Sequence, residues 1–337
     1  MTEKVFIIAE LSGNHNNSLQ HAKDSIAAMK EVGADAVKLQ TYRAESLTLD
    51  LHEGEFSILN DGLWKGRRPY DVFSDGALPY EWHEELFDFA KSIGIECFST
   101  PFDLEAVDLL EELGVEKYKI GSFEIQHIPL IRRISETKKP VIISTGIATI
   151  EDIELALKQF DNIENVTLLK CTSAYPTPID EVNLLSMNTL KEYFGCKVGI
   201  SDHTLGSTVS IAAVAQGAKV IEKHFILDKA LGGIDSKFSL NPTEFRSLIK
   251  EIRATEQILG TKKYALSPSA IKSRQRGRKI YVSNHVELGE LITEQNIKII
   301  RGNNGLHPKY YDWVLGKRFK KSLPAGTGLV NEYIEFN

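Results

Sequence analysis

Short apolar runs alternate with amphipathic stretches of helical period through the first three quarters of the chain. Each run is rich in β-branched residues and ends in polar ones, which is typical of a buried parallel strand. The runs fall at residues 5–11, 36–42, 96–102, 118–123, 141–146, 166–173, 197–203 and 220–227. The amphipathic stretches fall at residues 18–32, 79–93, 103–113, 128–137, 149–159, 183–194, 207–216 and 242–259. Eight βα units in succession predict a (β/α)₈ TIM barrel over residues 1–260.

The boundaries of these units carry residues that begin and end helices. Ser18, Asp103 and Thr149 stand where helix N-caps are expected, and Gly33 and Gly114 follow predicted helices. A doubly wound Rossmann-type sheet is the alternative, but no G-x-G-x-x-G motif follows a predicted strand. The pattern therefore favours the barrel.

Three segments depart from the βα pattern. Residues 43–78 separate the second strand from the second helix, and a βα loop of this length on the catalytic face is usually a lid or a specificity element. Residues 261–280 are basic and poor in large apolar residues, which predicts a linker. Residues 281–337 contain short strand-like pieces with turn signals, which predict a small, mostly β domain.

Composition and charge exclude several classes of function. The 337-residue chain has a formal net charge of −6, whereas a general nucleic-acid binder would show a basic face. No stretch approaches the roughly 20 apolar residues of a membrane span, and the apolar run near the N-terminus is too short for a secretory signal. The three cysteines lack metal-ligand spacing. We therefore expect a cytoplasmic protein that binds neither nucleic acid nor membranes.

Nearly every predicted strand ends in polar side chains. Residues two apart on a strand share a face, so Lys38 and Gln40, for example, point the same way. The polar residues at the strand ends are Glu10, Lys38, Gln40, Thr100, Lys119, Ser122, Glu124, Ser144, Ser173, Tyr175, Ser201, His203, Glu222 and His224. The carboxyl ends of the strands form the active-site face of a TIM barrel, so we expect these side chains to converge there.

Two lysines among these residues suggest the kind of ligand. Lys38 and Lys119, surrounded by hydroxyls, predict a site for a highly charged oxyanion, because lysines supply charge and hydroxyls supply hydrogen-bond donors. Alternatively, Lys119 pairs with Glu124 and individual serines cap backbone groups. Glu10 ends the first strand, where it can act as a general base or pair with one of the lysines.

His203 and His224 end adjacent strands, in GISDHT and VIEKHF. Two imidazoles on neighbouring strands can share one divalent cation and leave positions open for water and substrate; the alternative is a pair of satisfied core histidines. Asp235 follows the last strand in a Gly-rich loop, where it either holds a substrate hydroxyl or forms a turn. Cys171 is predicted to be a buried strand residue, and His15 either lines the site or makes a local hydrogen bond.

A series of motifs runs through the chain in fixed order: IIAELSGNHNNSL, ADAVKLQTY, STPFD, YKIGSFE, IISTG, LKCTSAYPTP, VGISDHT, VIEKHF and DSKFSLNP. This series resembles the motifs of the sialic acid synthase family. ELGELITEQNI and VLGKRF extend the resemblance over essentially the whole chain. The resemblance implies a (β/α)₈ barrel followed by a small antifreeze-protein-like (SAF) domain.

The resemblance also implies a reaction and a role for each matching position. Members of the family condense phosphoenolpyruvate with the aldehyde of an acetamido-sugar. Glu10 matches the catalytic carboxylate, and His203 and His224 match the ligands of a divalent metal, Mn²⁺ or Mg²⁺. Arg301 matches an arginine that enters the partner subunit's barrel in a domain-swapped homodimer. The positions that match phosphoenolpyruvate-binding residues are Lys38, Thr100, Lys119, Ser122, Ser144, Ser173 and Ser201. The positions that match residues around the sugar are Gln40, Glu124, Tyr175 and Asp235.

Within the family, GLW…PYEWH and GGIDSKFSL are most similar to the synthases of pseudaminic acid. Ser236 stands where neuraminate and legionaminate synthases usually carry His. The resemblance therefore implies 2,4-diacetamido-2,4,6-trideoxy-L-altrose as the sugar. The alternative sugars are N-acetylmannosamine and a legionaminic acid precursor. The alternative function is non-catalytic sugar binding, but the presence of Glu10 together with the lysine and histidine pairs argues against it.

Overall fold

The computed structural model describes residues 4–335. The chain divides into two compact units, Met1–Gly260 and Thr261–Asn337. Within the described residues, no helix is both long and apolar enough to span a membrane.

The first unit is built on eight parallel strands that close into a barrel in chain order. The strands are β1 (Phe6–Glu10), β2 (Ala36–Thr41), β3 (Glu96–Pro101), β4 (Tyr118–Ile120), β5 (Val141–Ser144), β6 (Val166–Cys171), β7 (Lys197–Ser201) and β8 (Val220–His224). Closure is completed by β1, which pairs with both β2 and β8. The predicted TIM barrel is confirmed.

Helices follow the strands and, apart from two in the 43–78 insertion, cover the outside of the barrel. They are α1 (Leu19–Val32), α2 (Ala44–Leu47), α3 (Pro69–Gly76), α4 (Tyr80–Ser92), α5 (Leu104–Glu112), α6 (Ile128–Glu136), α7 (Ile150–Leu157), α8 (Ser186–Phe194), α9 (Thr208–Ala215) and α10 (Pro242–Leu259). The side chains of Ser18, Asp103 and Thr149 accept N-terminal backbone N–H groups of α1, α5 and α7, as the sequence predicts. Gly33 ends α1 in the left-handed region, at φ +95°.

The side chains inside the barrel change from apolar to polar along the barrel axis. A buried apolar layer at the amino ends of the strands consists of Ile8, Ala36, Phe98, Ile142, Leu169 and Val220. Two residues further along the same strands stand Glu10, Lys38, Thr100, Ser144, Cys171 and Glu222. Because side chains two apart point to the same face, the apolar layer forms the floor beneath a polar layer. This apolar floor separates the polar layer from solvent at the amino ends of the strands.

The predicted insertion, residues 43–78, contains structure of its own. Helices α2 and α3 lie within it, and the connection between them contains a 3₁₀ helix at Gly54–Phe56 and a loop at residues 59–67. The loop is closed by two backbone hydrogen bonds, from Leu59 N to Arg67 O at 2.9 Å and from Gly66 N to Leu59 O at 2.9 Å. The insertion is therefore a structured element rather than an irregular loop.

The second unit has a small core of its own. Strands β9 (Arg278–Val282) and β10 (Ile297–Arg301) form an antiparallel pair, and α12 (Tyr311–Val314) follows them. The buried core residues are Ile280, Val282, Val286, Ile292, Ile297, Val314, Phe319, Leu323, Leu329 and Ile334. Residues 261–280, predicted to be a linker, contain α11 (Pro268–Arg274). Ser267 caps this helix and Pro268 occupies its first turn, a local signal that outweighs the polar composition.

Candidate active site

A cavity of about 770 Å³ opens at the carboxyl ends of the barrel strands. Its lining includes every barrel residue that the sequence nominated for the site: Glu10, Lys38, Gln40, Thr100, Lys119, Ser122, Glu124, Ser144, Ser173, Tyr175, Ser201, His203, His224 and Asp235. The side chains come from all eight βα units, so strand alternation in a closed barrel is sufficient to gather them.

Four charged side chains form an ion-pair network at the base of the cavity. Lys38 Nζ lies 2.9 Å from Glu10 Oε1 and 3.3 Å from Glu222 Oε2. Lys119 Nζ lies 3.7 Å from Glu222 Oε1 and donates a hydrogen bond to Ser144 Oγ at 2.7 Å. Glu222 therefore bridges the two lysines, a role that the sequence did not assign. It also replaces Glu124 as the partner expected for Lys119.

The network decides which groups are charged. Burial of Glu10 opposes ionisation, but the neighbouring Lys38 and His224 outweigh it and hold the pKa of the carboxyl below its ordinary value. Burial likewise opposes the charge of Lys38, yet Glu10 and Glu222 raise its pKa. For Lys119, burial prevails and lowers the pKa. An incoming anion would therefore stabilise the charged form of Lys119 in particular.

The two histidines face each other across neighbouring strands. Their ring centroids are 5.3 Å apart, and His224 Nε2 lies 3.3 Å from Glu10 Oε2. Burial and the neighbouring His224 lower the pKa of His203 to about 3, so His203 is a neutral imidazole with a free lone pair. The ring of Phe238, whose contribution the sequence did not reveal, packs 4.8 Å from His224 and 6.1 Å from His203, centroid to centroid.

These residues fit a divalent cation with an incomplete protein ligand set. His224 Nδ1 is buried and accepts or donates no hydrogen bond within residues 4–335. The same part of the chain has no group of three or more His, Cys, Asp or Glu side chains arranged around a metal position. An ion held here would take two imidazoles from the protein and its remaining ligands from water or substrate, as catalytic sites with open positions do.

The hydroxyls divide between free donors and local structural contacts. Ser122 Oγ accepts a hydrogen bond from Ile147 N at 3.0 Å and one from Ser173 Oγ at 2.9 Å, so the backbone-capping alternative holds for Ser122. Ser201 Oγ donates to Glu222 Oε1 at 2.9 Å. Thr100 Oγ1 is buried and has no hydrogen-bond partner in the described part of the chain. Thr100 is therefore the hydroxyl most clearly available to a ligand.

The residues expected around the sugar stand higher in the cavity. Gln40 Nε2 donates to Glu10 Oε1 at 3.1 Å, which orients the carboxylate. The ring of Tyr175 packs 4.4 Å from His203. Burial raises the pKa of Glu124 to about 7. Asp235 Oδ2 accepts the N–H of Gly13 at 3.4 Å, so Asp235 ties its own loop to the loop after β1.

Three sequence predictions remain. His15 is buried; its Nδ1 accepts the N–H of Asn17 at 3.2 Å, which is the local role, and its Nε2 lies 3.2 Å from the carbonyl oxygen of Gly76. Cys171 is a buried residue of β6, as expected, and lies in the polar layer. Arg301 ends β10 in the second unit and is exposed there. Its proposed contact with a partner subunit stays a prediction.

Comparison with known proteins places the chain among sugar synthases. It is 45% identical over 329 residues to the pseudaminic acid synthase of Campylobacter jejuni, covering 97% of this chain and 96% of that protein. The pseudaminic acid synthase of Helicobacter pylori is 44% identical, with 98% and 97% covered. The N,N'-diacetyllegionaminic acid synthase of Legionella pneumophila is 38% identical, with 98% and 94% covered.

Solved structures and family models agree with these relatives. The N-acetylneuraminic acid synthetase of Leptospira borgpetersenii, solved in complex with citrate, superposes with a TM-score of 0.72 at 31% identity, covering 81% of this chain and 92% of that one. The SAF domain model matches residues 278–335. The NeuB family model matches residues 25–264. The chain belongs to the NeuB family and carries a SAF domain.

Proposed function

We propose that the chain condenses phosphoenolpyruvate with 2,4-diacetamido-2,4,6-trideoxy-L-altrose, in its open-chain aldehyde form, to give pseudaminic acid and phosphate. The observation that carries the proposal is the convergence of Glu10, the two lysines and the two histidines on one cavity. Relatives that share 44–45% identity over nearly the full chain are pseudaminic acid synthases. Because this identity extends over nearly the whole chain, it supports the same activity for this protein.

Phosphoenolpyruvate would bind at the base of the cavity. Its carboxylate and phosphate need several cationic and hydroxyl groups, and Lys38, Lys119, Ser144 and Thr100 lie there together. Because Lys38 and Lys119 already contact Glu222, they are held in place before the substrate arrives. Positioning and electrostatics of this kind supply much of an enzyme's acceleration.

The aldehyde would lie beside the two histidines. We propose that His203 and His224 hold a divalent ion, Mn²⁺ or Mg²⁺, which supplies Lewis-acid polarisation of a carbonyl oxygen when it is bound. The neutral His203 ring supports this assignment, and so does His224 Nδ1, which makes no hydrogen bond within the described residues and lies 3.9 Å from Asp235 Oδ2. Phe238 packs against both rings and restricts their rotation.

The chemistry then requires one carbon–carbon bond and one water. C3 of phosphoenolpyruvate attacks the aldehyde carbon, whose oxygen takes up a proton to become a hydroxyl, and cationic character develops at C2. Water adds at C2 and loses a proton, which balances the one taken up, and the resulting intermediate expels phosphate to leave a ketone at C2. Glu10 is the nearest carboxylate to His224, at 3.3 Å, and is oriented by Gln40. We assign Glu10 to stabilising the cation and accepting the proton of water.

Two further parts of the proposal concern assembly. Arg301, exposed at the end of β10, is assigned to the active site of a second subunit in a domain-swapped homodimer. Size-exclusion chromatography with light scattering tests the dimer. Mixing an Arg301→Ala variant with a Glu10→Gln variant tests the exchange, because one of the two active sites in a mixed dimer would combine an intact Glu10 with an intact Arg301 and restore part of the activity.

Phosphate release tests the reaction itself. Phosphoenolpyruvate is incubated with the full chain and Mn²⁺, with 2,4-diacetamido-2,4,6-trideoxy-L-altrose or N-acetylmannosamine added in turn. Release that depends on the first sugar, and exceeds that with the second, is expected. Faster turnover of N-acetylmannosamine would overturn the sugar assignment, and release with neither would favour sugar binding without catalysis. A legionaminic acid precursor belongs in the same comparison, because a legionaminic acid synthase is 38% identical.

A further inference from the structure

The 59–67 loop of the insertion presents an apolar surface to the cavity. Leu59, Leu63 and Trp64 of this loop line the cavity, and so does Phe73 of α3. The groups at the base of the cavity are charged or hydroxylic, whereas this side is mostly hydrocarbon, with the Trp64 indole N–H and the exposed Asp61 as its polar residues. A substrate that spans the cavity therefore meets two different environments along its length.

This apolar wall, defined as Leu59, Leu63, Trp64 and Phe73, is held in place before any ligand binds. Arg67 Nη2 lies 2.5 Å from Asp75 Oδ2, and Arg68 Nη2 lies 2.5 Å from Asp71 Oδ1. Both aspartates belong to α3, so the Arg67–Asp75 pair fastens the 59–67 loop to that helix, while Arg68, the N-cap of α3, pairs within the first turn of the helix. Gly66 lies in the left-handed region at φ +89°, where glycine allows the loop to close. Each exposed pair contributes little alone, but the two backbone hydrogen bonds act with them.

Trp64 adds one directional contact to the wall. Its Nε1 is buried and donates no hydrogen bond to any described residue. A buried indole N–H without an acceptor is costly, and tryptophans usually find one. An amide carbonyl of a ligand would satisfy it, and an acetamido group combines such a carbonyl with a methyl group that suits the neighbouring leucines.

We propose that the apolar wall recognises the end of the sugar remote from the aldehyde. Trp64 Nε1 donates to an acetamido carbonyl, and Leu59 and Leu63 contact the acetamido methyl and the methyl at C6. This inference rests on the proposed function, which places the aldehyde carbon beside His203 and His224. A hydroxymethyl group at C6 would lose water where it contacts Leu59 and Leu63, so these two residues disfavour it.

The test compares one residue of the wall with its neighbour in sequence. Leu59→Ser puts a hydroxyl into the wall, and Ile58→Ser is the matched control because Ile58 is exposed and does not line the cavity. Trp64→Phe removes the N–H and part of the ring but keeps an aromatic side chain. Calorimetry measures binding of the reduced, unreactive alditol of the diacetamido sugar to the full chain with Mn²⁺. Steady-state phosphate release gives kcat and KM for each sugar and for phosphoenolpyruvate.

Loss of one neutral hydrogen bond predicts that Trp64→Phe weakens alditol binding roughly threefold to tenfold. Leu59→Ser is expected to reduce the preference for the 6-deoxy sugar over N-acetylmannosamine by about tenfold. The KM for phosphoenolpyruvate should stay unchanged in both variants, and Ile58→Ser should match the wild type throughout. Melting temperatures within a few degrees of the wild type confirm that the variants fold.

The two proposals fail in different ways. Wild-type protein that binds the alditol but releases no phosphate contradicts the proposed reaction and leaves the wall's contribution measurable by calorimetry. Unchanged alditol affinity in Trp64→Phe, or equal changes in Ile58→Ser and Leu59→Ser, overturns the inference. So does wild-type protein that does not bind the alditol. A parallel rise in the KM for phosphoenolpyruvate would also overturn it, because general distortion of the cavity would then explain the loss.

Discussion

The ion pair between Asp202 and Lys223 is the buried interaction whose loss should cost the barrel most. Lys223 Nζ lies 3.0 Å from Asp202 Oδ2, and neither side chain is exposed. Lys223 also donates to Thr204 O at 2.7 Å. Asp202 accepts hydrogen bonds from Thr204 N, Thr204 Oγ1 and Ser210 Oγ at 2.6–2.9 Å. Every charge is thus satisfied, which is the condition under which a buried pair is tolerated.

Lys223→Met removes one partner and leaves the Asp202 carboxylate buried without a counter-ion. Breaking a buried pair in this way costs about 3–5 kcal/mol. For a domain of this size, 1 kcal/mol corresponds to roughly 2–4 °C, so the melting temperature of the barrel should fall by about 6–20 °C. The double variant Asp202→Asn/Lys223→Met removes both charges and should recover most of this loss, because no isolated charge remains.

Thermal unfolding followed by circular dichroism measures the effect, with Lys229→Met as the control. Lys229 pairs with Glu244 Oε2 at 2.7 Å in the same barrel, but both side chains are about 40% exposed, so its loss should cost no more than about 1 kcal/mol. A melting temperature for Lys223→Met equal to that of Lys229→Met would refute the reasoning. Failure of the double variant to recover would refute the assignment of the cost to an unpaired charge.

The pair also bears on the candidate metal site, because each member precedes one of the histidines. Side chains alternate along a strand, so Asp202 and Lys223 point away from the cavity while His203 and His224 point into it. The pair therefore joins the carboxyl ends of β7 and β8 from behind. At a temperature where both proteins are folded, Lys223→Met should bind Mn²⁺ more weakly than Lys229→Met does.

Three other predictions follow from the charges in the cavity. Glu10→Gln should lower kcat by roughly 10²–10⁴ with only a small change in the KM for phosphoenolpyruvate, since the amide keeps the shape but loses the charge; unchanged kcat in steady-state assays would contradict the role. His203→Ala should abolish Mn²⁺ binding measured by calorimetry without substrates, and retained stoichiometric binding would exclude His203 as a ligand. Burial raises the pKa of Glu124 to about 7, so the native state holds its proton more tightly than the unfolded chain. Stability should therefore fall as pH rises from about 4.5 to 7, by about 3 kcal/mol, and urea unfolding of Glu124→Gln should lack this component.

The sequence predicted the barrel because one pattern repeats eight times. Each predicted strand coincides with an observed one, but the predictions run one to three residues too far at the carboxyl ends. Strand β4, for example, ends at Ile120 and a 3₁₀ helix begins at Phe123, although the alternating sequence pattern continues beyond Ile120. Alternation shows which way side chains point, whereas the end of a strand depends on hydrogen bonds to its neighbours.

The sequence predicted the site residues whose positions are fixed by the barrel strands. It did not predict the contributions of residues in the 43–78 insertion. Fourteen nominated residues line one cavity, because inward-facing positions at strand ends have nowhere else to go. The bridge made by Glu222 depends on distances across the barrel, which a linear pattern does not contain. The apolar wall comes from the insertion, where no period relates one residue to the next. Only the length of the insertion indicated that it could be a specificity element.

The ion-pair network at the base of the cavity can also couple substrate binding to the basicity of Glu10. Before substrate binds, Lys38 is shared between Glu10 and Glu222, and Glu10 is held as a weak base. In the proposed binding mode, the negative charges of phosphoenolpyruvate would compete for Lys38, and any weakening of its pair with Glu10 would raise the pKa of that carboxyl. Glu10 would then become a better proton acceptor once phosphoenolpyruvate is in place, beside His224, from which its Oε2 lies 3.3 Å.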